Sequence, residues 1–546
     1  MSNPVRDKKI NSPLGILFQI PVFFVAIYGL YNLFEKFIYS FTDFDMVNKP
    51  TFAGVGNYVL IFKEKVIRNS LGNTVLMVCA VAVLLIFTAV LPAIFTARLK
   101  LPFGIGVMCA FSLISLCTML PGFWSTVFSD SAYGTLNSWL LSSSLINTPV
   151  AFIQSLAMPI AITVFWLYCL APVFFVTYIA ARLKHSFLGV AIAVCLIPVL
   201  MFIGSGTVTG VIGYPSANYA GDWLYTVFKA YLTVQYKAGL ACAVFVVGLI
   251  MLAGWCVTVC SVAFGLWAIF RRINTGSKAF KVFGMLSFAF AALLFVLALP
   301  VILTHFSKAF MPLDELMAFP GFIPKRPTLQ NFSNFAGIVS SRSLPFSRYL
   351  INSLLIVPLT VMPVCFSVAL PSGAGFGAFR AFKRQNLLLL CFIPFLFVSG
   401  YIALNKLGII DSYLVYAFKF LSSFEFFTAL FSVYLAAKLV FYNRKPDVSG
   451  ILLGVLFILS SFYAAGAIRG IWYYSGGYIF DEKLKLWRDV SAVLAMGGVT
   501  RSGVVAASNI LMLLATAAVV IVPLLLLLIL YVLYRKKDNT RQNAEL

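Results

Sequence analysis

Few residues in this chain could do chemistry, and their settings decide which. Glu425 stands in Phe424-Glu425-Phe426-Phe427, inside an apolar run over 414–441. A carboxylate in hydrocarbon costs about 2.5–3.5 kcal/mol on insertion scales. It reads as a proton or cation site, or as a polar contact for a sugar in a cavity. The competing reading puts it near the outer headgroups, because the run begins at Leu414. Cys256 and Cys260 share a helix face at i,i+4, a spacing that could seat a metal. The ten cysteines, however, lie in or beside apolar runs, the only histidines are His185 and His305, and no Cys-x-x-Cys occurs. Packing thiols account for the pair better, and no metal site is expected. Gly204-x-Gly206 and Gly373-x-Gly375-x-Gly377 imitate phosphate cradles, but neither follows a strand pattern nor opens a βαβ unit. There is no Walker Gly-x-x-x-x-Gly-Lys-Ser/Thr motif and no hydrolytic dyad. No catalytic residue, cofactor or enzyme activity of its own is expected.

The elements that must position these residues are apolar. Of 546 residues, 61% are hydrophobic and 10% charged, and the mean hydropathy is +0.98. Soluble globular domains do not reach such values. A bilayer core of roughly 30 Å needs about 20 apolar residues per helix. About twelve such runs are present: 14–34, 73–96, 103–127, 157–180, 187–213 and 239–270, then 281–305, 350–371, 386–405, 414–441, 448–471 and 505–534. The short alternating segments of outer-membrane barrels are absent. The expected fold class is all-α, a polytopic membrane protein embedded in a lipid bilayer. The first run is too long for a signal peptide's apolar core and is expected to be a retained span.

Charge fixes orientation. The net charge of +23 reads as retention of basic loops in the cytoplasm, not as affinity for nucleic acid. Basic residues fall in every second loop: Arg98 and Lys100, Arg182 and Lys184, Arg271 to Lys281, Arg380 to Arg384, Lys438 to Lys445, and Arg535 to Lys537. The opposite loops hold most acids, from Asp43 and Glu64 to Asp481 and Asp489. Both termini are expected in the cytoplasm. Trp223, Tyr225, Trp472, Tyr473 and Tyr474 could line an outer vestibule for sugar rings, although interfacial aromatic belts explain them better.

The basic stretch 271–281 divides the runs into two sets of six, a first half over 1–275 and a second over 276–546. Each half opens with one span, a long outside loop (35–72 or 306–349), and a tighter group of spans. That is the plan of a parallel duplication with a shared cavity as the transport path.

Ordered patches in the outside loops carry a family resemblance. The first half has Ser40-Phe41-Thr42-Asp43-Phe44-Asp45, then Phe52-Ala53-Gly54-Val55-Gly56-Asn57-Tyr58, then Asn69-Ser70-Leu71-Gly72-Asn73-Thr74. Tyr214-Pro215, Tyr225 and Gly239-Leu240-Ala241-Cys242-Ala243 follow. These resemble the larger permease subunit of maltose-type, carbohydrate-importing ABC transporters. The second half has Pro327-Thr328-Leu329-Gln330-Asn331-Phe332, Arg348-Tyr349-Leu350-Ile351-Asn352-Ser353, Asn405 to Tyr413 (Asn-Lys-Leu-Gly-Ile-Ile-Asp-Ser-Tyr), and Ala506-Ala507-Ser508. These look like the smaller partner subunit. The resemblance implies both permease subunits fused in one chain of a bacterial inner membrane. It also implies two partners, a cytoplasmic ATPase dimer and an extracytoplasmic solute-binding protein.

In that family a Glu-Ala-Ala signature with a following Gly and Leu-Pro docks into the ATPase. Ala180-Ala181-Arg182 stands where the signature begins, and Ile197-Pro198 at the spacing of its end. Ile179 replaces the Glu and His185 the Gly, and 186–195 is apolar where the family is polar. Ala436-Ala437-Lys438 repeats the start in the second half, again without Glu. The resemblance makes these degenerate ATPase-coupling loops. Their departure leaves two alternatives: a divergent membrane scaffold or sensor that does not transport, or an ion-coupled carrier using Glu425.

The charge pattern makes a direct prediction. In a cysteine-free background, a cysteine at Pro327 should react with membrane-impermeant maleimide in intact cells. One at Asn274 should react only after permeabilisation.

Overall fold

The structure is a computed structural model. It describes residues 20–97, 101–118, 122–182, 224–233, 235–270, 278–318, 323–340, 345–356, 407–421, 479–495 and 499–514, with a few isolated residues between them. The regular elements among these residues are helices. The one β contact among them is an isolated antiparallel bridge between Thr42 and Phe52. In order they form α1 (Ile20–Tyr39), α2 (Gly56–Lys63), α3 (Lys65–Thr96), α4 (Leu101–Thr118), α5 (Phe123–Val127), α6 (Thr135–Ser142) and α7 (Ala157–Arg182). Then follow α8 (Leu224–Thr233), α9 (Ala238–Phe270), α10 (Lys278–Ser307), α11 (Gln330–Ser340), α12 (Leu414–Leu421), α13 (Trp487–Ala495) and α14 (Ser502–Leu514).

Four stretches are long and apolar enough to cross a membrane: Lys65–Thr96, Ala157–Tyr178, Ala238–Thr258 and Lys281–Phe310. They match the runs at 73–96, 157–180, 239–270 and 281–305. Helix is the natural state for such segments, since hydrocarbon supplies no partner for backbone groups and a helix satisfies its own. The run at 103–127 departs from expectation. Its helix stops at Thr118 and restarts at Phe123, after Gly122 takes a left-handed φ of 70°. Most of the runs at 187–213, 350–371, 386–405, 414–441, 448–471 and 505–534 lie outside the described residues.

Two compact units gather the chain. One contains residues 35–346 and 487–513. Within it α7 packs on α3 and α4. Trp166 donates to the Thr88 hydroxyl at 2.8 Å, inside a π turn over Ile86–Val90, and Phe111 meets Phe174 edge-on at 5.3 Å. Also within it, α10 lies along α3 and α4, both from the first half. Phe283 stacks on Phe95 at 5.4 Å, and Phe288 meets Phe103 at 5.3 Å. Gly284 makes this approach possible, because a Cβ there would stand 2.9 Å from the Phe95 carbonyl oxygen. Small residues at helix crossings are the usual means of close packing in lipid. The other unit contains residues 1–34, 347–486 and 514–546. There Tyr28 of α1 meets Phe418 of α12 edge-on at 6.2 Å. Each half therefore lays its first long helix against residues of the other half.

Gly284→Val should destabilise the detergent-solubilised protein by about 1–3 kcal/mol through overpacking, read as a lower thermal midpoint. Gly254→Val, at an open position, serves as the control and should have little effect.

Candidate functional site

Of the residues expected to couple to an ATPase, Ala180, Ala181 and Arg182 form the last turn of α7. Ala181 is buried, at 8% exposure. Ala436, Ala437, Lys438 and Glu425 lie outside the described residues, as do Trp472, Tyr473 and Tyr474. Among the described residues no three His, Cys, Asp or Glu side chains gather as a metal site.

The organised chemistry among the described residues is instead where α1 and α10 end. The final carbonyls of a helix have no partner within it. Asn57, at the start of α2, donates its amide to the Ser40 and Thr42 carbonyls just past α1, at 3.0 and 2.7 Å. Asn331, at the start of α11, donates to the Lys308, Ala309 and Met311 carbonyls just past α10, at 3.3, 3.1 and 2.7 Å. The residue after each asparagine packs its ring on the same exit: Tyr58 on Phe41 at 5.3 Å, Phe332 on Phe310 at 5.4 Å. Ala53 donates its N–H to the Phe41 carbonyl, and Thr328 donates to that of Phe310, each at 2.8 Å.

A glycine near the start of the last described helix of each half closes the arrangement. A Cβ on Gly239 would stand 2.1 Å from the Thr42 oxygen, and one on Gly503 would stand 2.7 Å from the Asn331 amide nitrogen. One step further in, each first helix meets the last helix of its own half through a nitrogen. Lys36, five residues before Phe41, lies over the Phe245 ring at 4.7 Å. His305, five residues before Phe310, pairs its Nε2 with Asn509 Nδ2 at 3.1 Å. Phe245 and Asn509 each stand six residues after the glycine.

A second pair of contacts repeats lower in the sequence. Thr74 accepts the Leu224 N–H at 2.8 Å, fixing the entry to α8. Asn352 donates to the Lys483 and Lys485 carbonyls at 2.8 and 3.0 Å, just before α13, and accepts from the Tyr413 hydroxyl at 2.8 Å. Near α14, the Ser508 hydroxyl takes the Trp487 indole at 3.0 Å and meets Ser491 at 2.5 Å. The patches that carry the family resemblance thus supply the hydrogen bonds that hold these helix ends.

The loop between Asp43 and Thr51 is held by its acids. The Thr51 hydroxyl and N–H bond Asp43, and the N–H groups of Asn48 and Val47 bond Asp45. Both carboxyls are held below the usual range by those bonds. Glu315 accepts the Lys325 N–H, and Asp314 pairs with Arg326.

Sequence reading missed Lys308. It was not singled out there, and it is wholly buried and bonds the Thr135 hydroxyl at 2.9 Å. His305 is equally buried, with its ring 4.9 Å from Phe123. The available signal was positional: both sit within one turn of the helix exit that Asn331 caps.

No family model matches the chain, and no curated protein or solved structure is significantly similar to it.

Asn57→Ala and Asn331→Ala each leave buried carbonyls without donors, a loss of about 1–3 kcal/mol. Thermal unfolding should show both variants destabilised. The two should be affected alike, because the Lys308 carbonyl keeps the Met311 N–H and each variant strips two carbonyls of their donor.

Proposed function

We propose that the chain is the translocation subunit of an ABC importer, with both permease halves fused. It has twelve spans in two parallel six-span halves, over 1–275 and 276–546. It resides in a bacterial inner membrane with both termini in the cytoplasm. A carbohydrate or a related small polar solute passes between the halves by alternating access. A cytoplasmic ATPase dimer drives the cycle, and an extracytoplasmic solute-binding protein delivers the solute to the outer loops.

The observation that carries this reading is the repetition at the outer ends. Asparagine, aromatic, donor N–H and facing glycine recur in the same order in both halves. Two unrelated sets of helices have no reason to solve the same capping problem with the same four parts. The placement of each first helix against the other half supports two related subunits that assemble by exchange. Both findings agree with the order of the permease-like patches.

A second reading is favoured by one feature. Ala181 is buried in the last turn of α7, and neither alanine pair is preceded by a glutamate. A motor needs projecting polar side chains to grip. On this reading the chain is a permease descendant that acts as a membrane scaffold or sensor for a neighbouring complex.

Purification of the tagged chain in mild detergent separates the two. The importer reading expects an ATPase subunit recovered in stoichiometric amount, and loss of solute uptake when that ATPase is deleted. Unchanged uptake, or the absence of any ATPase in the purified complex, sinks the ATP-driven importer.

A further inference from the structure

We infer that α2 is an interfacial helix: its exposed apolar stripe enters the boundary between headgroups and acyl chains, and Lys63, Lys65 and Arg68 hold anionic phospholipid headgroups there. Three helix ends set the level at which α2 lies. It begins where Asn57 caps the end of α1. Its buried side carries Ile61, which clusters with Leu240 and Val244 in the first two turns of α9 and with Ile67 in the first turn of α3. Glu64, extended at ψ 114°, separates α2 from α3. The stretches Lys65–Thr96 and Ala238–Thr258 are two of the four long and apolar enough to cross a membrane. The level at which both begin is where hydrocarbon gives way to headgroups, and α2 packs on both beginnings.

A short surface helix in water turns its polar side outward. In α2 the order is reversed. Asn57 is buried, while Val55, Val59 and Phe62 are exposed at i, i+4 and i+7. Phe52 just before the helix is 83% exposed, and Val66 just after it is exposed as well. Farther along α3, Leu76, Val83 and Phe87 carry exposed apolar surface on into the span. A run of this kind marks a surface with an apolar neighbour.

Charge identifies the neighbour. Residues 56–72 hold three cations, Lys63, Lys65 and Arg68, and one acid, Glu64. All four are exposed, and none is in an ion pair among the described residues. Arg68 reaches the Phe62 carbonyl at 3.5 Å, which brings its guanidinium to the apolar stripe. The acids of the adjoining segment serve that segment. Glu35 accepts from the Tyr39 hydroxyl, Asp43 holds Thr51, and Asp45 holds Val47 and Asn48. Cations on long stems beside apolar side chains match a phosphate headgroup above its acyl chains. A protein docking from water would meet the cations, but it would have to displace lipid from a stripe at the level of the span starts. Lipid held here pins the start of α3, whatever the chain carries.

The test uses the full chain, cysteine-free except for Phe62→Cys carrying a bimane label, in phosphatidylcholine vesicles. A nitroxide-labelled lipid is added at equal mole fraction, either phosphatidylglycerol or phosphatidylcholine. Both should quench the label, and phosphatidylglycerol should do so at least about twofold more strongly. With Lys63→Gln, Lys65→Gln and Arg68→Gln combined, the two lipids should quench equally. Free glycerol phosphate in the buffer should leave the preference of the parent intact. Quenching by aqueous iodide and by neither lipid would place the stripe in water, as a protein-docking surface, and overturn the inference. Equal quenching in the parent, an undiminished preference in the triple variant, or loss of the preference to glycerol phosphate would overturn it too. If the triple variant does not accumulate, Lys63→Glu decides: the preference should fall, and an unchanged preference overturns the assignment.

Discussion

A carbonyl that leaves a helix at the membrane surface must find a donor, and one buried asparagine amide per half answers that demand. Asn57 reaches back 15 and 17 residues, and Asn331 reaches back 20 to 23. Neither is a local turn. Each closes a loop that leaves the first long helix and returns to cap the same helix. Much of the architecture at these helix ends follows from that closure. The ring after each asparagine can pack only if the amide is in place. Gly239 and Gly503 can lie against the cap only because they lack a Cβ. The start of the last helix in each half is thereby tied to the end of the first.

The same constraint explains what was legible in the sequence. Length and hydropathy place α3, α7, α9 and α10, because a membrane-length helix is written in consecutive residues. The patches around Asn57, Asn331 and Asn352 mark the outer loops by their order. Their partners are not local, and so were not legible. The Thr74 hydroxyl meets an N–H 150 residues away, and Asn352 reaches carbonyls 131 and 133 residues on. Lys308 was passed over for the same reason. A lysine beside an outside loop reads as solvated, and only its contact with Thr135, 173 residues earlier, reveals a buried ammonium. The run at 103–127 failed differently. Hydropathy does not register a left-handed residue, and Gly122 stands between a long helix and a short one in that run.

Exchange of the first helices bears on why two such halves would share a chain. Once α10 packs on α3 and α4 through Gly284 and the Phe95–Phe283 stack, neither half buries its own surfaces without the other. As separate subunits they would have to meet before either was complete. In one chain the second encounter is intramolecular, and its effective concentration is set by the connecting segment rather than by expression level. On the proposed importer reading, fusion suits halves that interlock.

On the proposed importer reading, interlocking also constrains where a motor could act. The ends of α1 and α10 are pinned by caps, rings and glycine contacts, so relative motion there requires several hydrogen bonds to move as a set. The C-terminal end of α7 is different. Its last turn carries Ala180, Ala181 and Arg182, and Ala181 is packed against its neighbours rather than projecting. Alanine offers a docking protein neither charge nor a hydrogen bond. A pull applied at this point would have to enter through residues beyond Arg182, and α7 would transmit it to Thr88 and the π turn through Trp166. A π turn is a place where a helix adjusts its register at small cost. The bond between Trp166 and Thr88 joins α7 directly to that turn of α3.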